Sequence, residues 1–80
     1  MTQALDTAIA AVDDALTEIE DPVERHDAMR AAEGKIGEVL KRHRQGVANA
    51  LYAQGKPWRE VGEFLGGVSA QRAWQISRGE

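Results

Sequence analysis

The chain has 80 residues, no cysteine and a net charge of −3 at pH 7. This length predicts one small domain with a thin core, and without cysteine neither a disulfide nor a thiolate metal site can form. No apolar run approaches the roughly 18 residues of a membrane span, and the acidic N-terminus lacks the positive leader of a signal peptide. We therefore expect a cytoplasmic protein that gains stability from a partner chain.

Charge is distributed unevenly along the chain. Residues 1–40 carry ten acidic and three basic side chains, for a net charge of −7, and residues 41–80 carry seven basic and three acidic ones, for +4. Such an asymmetry is typical of a protein in which one half faces a polyanion, although chance clustering on solvated helix faces would give the same pattern.

The composition predicts an all-α fold, because runs of β-branched residues and two-residue alternation are missing. A first helix is predicted from about Thr2 to Glu20. Its apolar residues alternate spacings of four and three, which places them on one narrow stripe. A stripe of this kind packs against another helix. Its members are Leu5, Ile9, Val12, Leu16 and Ile19.

The Asp21-Pro22 pair predicts the boundary to a second helix. Proline disfavours the helical region for the residue before it and suits the first helical position. Asp21 is expected to cap the new N-terminus, with Glu24 at the carboxylate position of a capping box. The second helix is predicted from Pro22 to Gln54, ending at Gly55. Gly34 and Gly37 indicate either a kink or the close approach of another helix.

Residues 1–54 are thus expected to form an acidic helical hairpin that makes one compact unit with residues 55–80. Two copies of the hairpin packing together would cover its remaining apolar surface, so we expect a homodimer. Alternatively, the apolar stripe of the first helix packs on the C-terminal domain of the same chain. The expected dimer interface consists of Leu5, Ile9, Val12, Leu16, Ile19 and Ile36.

The segment after Gly55 has the order of elements of a helix-turn-helix. Pro57 opens a short helix, in which Gly62 sits where a crossing helix would need a small residue. Gly66-Gly67 provides a sharp turn, and Ser69 caps the next helix. The residues expected to be buried are Trp58, Val61, Phe64, Leu65, Val68, Ala73 and Ile76. A short helix, a glycine turn and a capped second helix together describe a DNA-reading motif.

Residues 42–79 resemble the helix-turn-helix domains of bacterial regulators, including region 4 of sigma factors, and are especially similar to small actinobacterial proteins. The matching residues are Trp58, Glu60, Val61, Gly62, Leu65, Gly66, Val68, Ser69, Gln71, Arg72, Ala73, Gln75 and Ile76. The resemblance implies a nucleoid-associated regulator of transcription that binds double-stranded DNA. The Gly66-Gly67 pair makes the turn one residue longer than the commonest spacing, which bears on the angle between the two helices.

The side chains expected at the DNA follow from the position of the second motif helix in a major groove. Glutamine can pair with adenine and arginine with guanine, and alanine can touch a thymine methyl. The expected base contacts are Gln71, Gln75, Arg78 and Ala70. The expected backbone contacts are Ser69, Arg72, Lys56, Arg59 and Arg44, although a solvated face is an equal alternative for Arg44. Trp74 either packs over the core edge, which is favoured slightly, or lies against the DNA backbone.

No arrangement typical of an enzyme, a metal site or a cofactor site is recognised. His26 and His43 lie about 25 Å apart along a straight helix, too far to share a metal. The leading interpretation is a sequence-specific regulator acting as a homodimer on an inverted repeat. One alternative is a protein-interaction module that binds a regulator or polymerase subunit through its acidic helices. Another is an architectural DNA binder without sequence preference.

Overall fold

The structure, a computed structural model, describes residues 2–80, and these residues form four α-helices. No strand occurs in this range, so the predicted all-α fold is confirmed. The helices are α1 (Gln3–Thr17), α2 (Pro22–Ala53), α3 (Trp58–Phe64) and α4 (Ala70–Ser77).

The chain divides into two compact units within α2, between Lys35 and Ile36. The sequence predicts the division after residue 54, about five helical turns further along α2. The reason for the difference is that the C-terminal part of α2 contributes Ala48 and Leu51 to the same apolar cluster as α3 and α4. The helix-turn-helix therefore includes a third helical segment from α2.

The N-terminal unit has well-formed helix ends. The Thr2 hydroxyl caps α1 by accepting from the Leu5 N–H at 3.2 Å. The predicted cap of α2 is confirmed, since the Asp21 carboxylate accepts from the Glu24 N–H at 2.9 Å. Between the helices, the Arg25 guanidinium donates two hydrogen bonds, of 2.9 and 2.7 Å, to the Ile19 carbonyl. Helix α1 ends at Thr17, three residues before the expected Glu20.

No residue of the N-terminal unit is buried within residues 2–35. Ile9 is 56% exposed and Leu5 is 53% exposed, and the half-buried residues are Leu16 and Ile19, near the connection, together with Ala28 and Ala32 on α2. The packing of α1 on α2 as a hairpin stays a prediction, and the start of the stripe, at Leu5 and Ile9, is open to solvent. The helices are held by their caps and local hydrogen bonds.

The glycines of α2 do not interrupt it. Gly34, Gly37 and Gly46 all lie inside the continuous helix, and a Cβ atom added at any of them would meet nothing within 4 Å. The close neighbour expected at Gly34 and Gly37 is therefore not found, and neither residue ends the helix. Gly55 has a φ of 92° just after α2, which confirms the predicted stop.

The C-terminal unit, Ile36–Glu80, contains the core. Ala48 from α2, Val61 from α3 and Ala73 from α4 are completely buried, and Ile76 is nearly so. Partly buried residues surround this centre: Leu51, Trp58, Leu65 and Val68. Because two of the three fully buried side chains are alanine, the helices approach each other closely. This small core fixes the position of α4.

Candidate nucleic-acid interface

The turn between α3 and α4 is closed by backbone hydrogen bonds to a single carbonyl. Gly62 accepts from the N–H groups of Gly67 and Val68, both at 3.0 Å. Gly66 has a φ of 103° and Gly67 a φ of 86°, values that side-chain-bearing residues rarely adopt. Both glycines of the pair thus have a conformational role, which confirms the predicted glycine turn.

Gly62 is required by the close approach of the turn itself. A Cβ atom at this position would overlap the carbonyl oxygen of Val68 and lie 3.1 Å from that of Ser69. The sequence anticipated a small residue at a helix crossing. The neighbour is instead the backbone that leads into α4, so Gly62 sets the distance between the first motif helix and the start of the second.

Both ends of α4 are anchored. At the N-terminus the Ser69 hydroxyl accepts from the Arg72 N–H at 3.1 Å, as predicted. At the C-terminus the Ser77 carbonyl accepts from the side-chain amides of Gln45, at 3.2 Å, and Asn49, at 3.0 Å. The sequence reasoning missed this second anchor. Its only signal is two amide side chains four residues apart on α2, on the face that also buries Ala48.

The outward face of α4 carries four large side chains at helical spacing. Gln71, Trp74, Gln75 and Arg78 follow one another at intervals of three, one and three residues. They lie opposite the buried Ala73 and Ile76. Gln71 and Arg78 are exposed and Gln75 is half-buried. The structure thus brings three of the predicted base contacts onto one ridge; the fourth, Ala70, is exposed in the first turn.

Trp74 belongs to this ridge and not to the core. It is 40% exposed, and the Arg78 guanidinium carbon lies 4.8 Å from its ring centroid. The slight preference for Trp74 as a packing residue is therefore wrong. The core edge is instead filled by Trp58, whose ring stacks on Tyr52 at 4.1 Å and nearly parallel, at 3°.

The side chains predicted to contact the DNA backbone lie around the α4 ridge, and we call them the rim of the motif. Arg59 and Arg72 are exposed at the first turns of α3 and α4, and the Nη1 atom of Arg72 donates to the Glu80 carbonyl at 3.2 Å. Ser69 is exposed, and its hydroxyl keeps its proton to donate, since the cap uses the oxygen as acceptor. Arg44 is exposed one helical turn before buried Ala48.

Lys56 and Phe64 form a contact that the sequence did not suggest. The Lys56 ammonium lies 5.5 Å from the centre of the Phe64 ring, and Phe64 is 63% exposed. The expectation that Phe64 is buried is therefore wrong. The small core is already filled by alanine and valine side chains, and Phe64, three residues after Val61, points to solvent. Lys56 is half-buried as a result, with part of its stem covered.

Comparison with protein-family models, curated proteins and solved structures finds no match to this chain. Among residues 2–80, no group of three or more histidine, aspartate and glutamate side chains is arranged to hold a metal ion. Within the same residues no helix combines the length and the apolar character needed to cross a membrane.

Proposed function

We propose that the protein is a sequence-specific regulator that binds double-stranded DNA, with α4 in the major groove. The observation that carries this proposal is the ridge of Gln71, Trp74, Gln75 and Arg78 on a helix whose opposite face is fixed in the core. A recognition helix has to present polar side chains at a constant position. The hydrogen bonds at Ser69 and Ser77 hold the two ends of α4 in place and so keep these side chains in a constant position.

The side-chain chemistry of the ridge suits base edges. A glutamine amide can donate and accept at once, as the N6 and N7 atoms of adenine require, and a guanidinium can donate twice to O6 and N7 of guanine. Gln71 is the best-placed reader, because it is exposed in the first turn of α4, the part of such a helix that enters the groove. Gln75 reaches the same groove from one turn later.

Charge supports a polyanionic partner for the C-terminal unit. Residues 36–80 carry seven basic and four acidic side chains, whereas residues 1–35 carry three basic and nine acidic ones. Arg59 and Arg72, at the starts of α3 and α4, flank the turn that would face a phosphate backbone. The free N–H groups at the start of α4 add to this positive region. The acidic N-terminal unit would be repelled by the same DNA.

Gln71→Ala tests the role of the ridge. The substitution is expected to relax the base preference at one position of the bound site. Binding should weaken by about 1–3 kcal/mol for duplexes that carry the preferred base there, and not for duplexes that carry another base. Mobility-shift titrations against the preferred duplex and its single-base variants measure this. Thr7→Ala, on exposed α1, is the control and should change nothing. If Gln71→Ala leaves every single-base preference intact, the assignment of α4 as the reading helix fails.

We further propose that the protein acts as a homodimer through α1 and α2. The apolar stripe has four residues on α1 and a fifth, Ile19, just after it; none of the five is buried, and a second copy packing on the stripe would cover it. Ile36, 43% exposed, would extend the interface onto α2. Two recognition helices would then meet major grooves about 34 Å apart on an inverted repeat. A partner protein seated on the same acidic-rimmed stripe is the competing arrangement.

Sedimentation equilibrium tests the dimer. The wild-type chain of 8.7 kDa is expected to sediment at twice that mass, and Ile9→Glu is expected to sediment as a monomer because it places a charge in the stripe. Ala11→Glu adds the same charge on the opposite face of α1 and should leave the dimer intact. Because the stripe has an acidic rim, salt should strengthen self-association. A monomeric wild type that salt does not alter would contradict the homodimer and favour the partner protein.

A further inference from the structure

The Arg78 side chain is held on two sides in the free protein. One face of its guanidinium covers the Trp74 ring at 4.8 Å. Its Nε atom lies 3.5 Å from the Glu80 carboxylate. Both contacts are made at the surface, where the Arg78 side chain remains 60% exposed. A long side chain that would otherwise sample many rotamers is thus restrained at the end of the ridge.

The contacts leave one edge of the guanidinium available. The ion pair with Glu80 is made through Nε, and within residues 2–80 neither terminal nitrogen of Arg78 donates a hydrogen bond. The two terminal nitrogens form the edge that can donate two parallel hydrogen bonds to O6 and N7 of guanine. The Trp74 stack uses the flat face, so it does not compete with this edge.

We propose that Arg78 reads a guanine and that Trp74 is the positioning residue that aims it. This inference rests on the proposed DNA binding and deepens it, because it assigns a base to the last position of the ridge. A guanidinium fork can also make two hydrogen bonds to a phosphate, but Arg78 lies on the same ridge as Gln71 and Gln75, and this position favours a base edge. An aromatic ring stacked on the guanidinium and a carboxylate at Nε both restrict the direction in which the terminal nitrogens can donate hydrogen bonds.

The spacing along α4 gives the proposal a second consequence. Gln71 and Arg78 are seven residues apart, which corresponds to about 10.5 Å along a helix. Stacked base pairs are spaced about 3.4 Å apart, and a helix in the major groove is inclined to the DNA axis, so the two side chains span at most about three base-pair steps. A half-site should therefore place a guanine within about three steps of the adenine that Gln71 contacts.

Substitutions at Arg78 and Trp74 separate base reading from charge. The measured quantity is the affinity ratio between a duplex with guanine at the assigned position and one with 7-deazaguanine, which lacks the N7 acceptor. For the wild type we expect a ratio of roughly tenfold. Arg78→Ala removes the donors, so the ratio should fall to near one, whereas Arg78→Lys keeps the charge and can still reach N7 and should lower the ratio only in part. Trp74→Ala should lower it as well, and Trp74→Phe should restore most of it because a ring is kept.

The outcomes distinguish this inference from the proposed function. If Arg78→Ala or Trp74→Ala keeps the wild-type ratio, the guanine assignment is overturned even though DNA binding stands. If the wild type binds no duplex in a salt-dependent way, the proposed function itself fails. Far-UV circular dichroism and the thermal midpoint of each variant show whether α4 is still folded. A loss of the ratio in a folded variant with an unchanged salt slope supports the proposal.

Discussion

Gly62→Ala is expected to unfold the helix-turn-helix. The added methyl group would overlap the Val68 carbonyl, a backbone atom that cannot move aside without opening the turn. Clashes of this kind cost about 3 kcal/mol or more, against a total stability of about 2–7 kcal/mol for a unit of this size. Both tryptophans lie in the C-terminal unit. Urea unfolding followed by tryptophan fluorescence therefore reports this unit selectively.

Gly46→Ala is the matched control for that experiment. It makes the same chemical change in the same unit, within α2, where the added carbon would meet nothing within 4 Å. Relief of the glycine penalty in a helix should stabilise the unit by up to about 1 kcal/mol. The pair should thus shift the unfolding midpoint in opposite directions. A Gly62→Ala variant as stable as the wild type would contradict the described turn.

The double variant Arg59→Gln, Arg72→Gln is expected to weaken binding to all duplexes by roughly tenfold or more. Each arginine is placed to release one counterion from the phosphate backbone. The slope of log K against log salt should therefore become shallower by about 1.8. The slope is measured by fluorescence anisotropy titrations between roughly 50 and 200 mM salt, a range in which the affinity of phosphate contacts changes strongly.

Arg30→Gln, Lys35→Gln removes the same two charges from the N-terminal unit and serves as the control. Because these residues belong to the acidic half, their loss should leave the salt slope unchanged. Similar slopes for the two double variants would mean that net charge, and not the rim of the motif, sets the affinity. That result would remove the assigned phosphate contacts.

Features that depend on local chemistry could be predicted from the sequence. The caps at Asp21 and Ser69 need only a side-chain oxygen three residues before an N–H group, and both hydrogen bonds are formed. The double-glycine turn follows in the same way, since both residues adopt a positive φ. Ala73 and Ile76 were predicted to be buried from the helical period alone, and they are.

Features that depend on how helices meet could not be predicted. Ser77 is held by Gln45 and Asn49 from about 30 positions earlier, a contact that no local pattern specifies. Trp74 and Phe64 are apolar, and their exposure follows from the small size of a core filled with alanine. The stripe of α1, whose Leu5 and Ile9 are exposed, is a further case. Its spacing predicts a helical partner but does not say whether the partner is α2 or another chain.

Selection of bound sequences from a random pool of duplex DNA tests the central claim most directly. The wild-type chain is expected to enrich one motif, an inverted repeat whose half-sites are centred about 10 base pairs apart. Within each half-site an adenine and a guanine should lie within about three base-pair steps of each other. Failure to enrich any sequence, together with no salt-dependent retention of DNA, would contradict the account of α4 as a recognition helix.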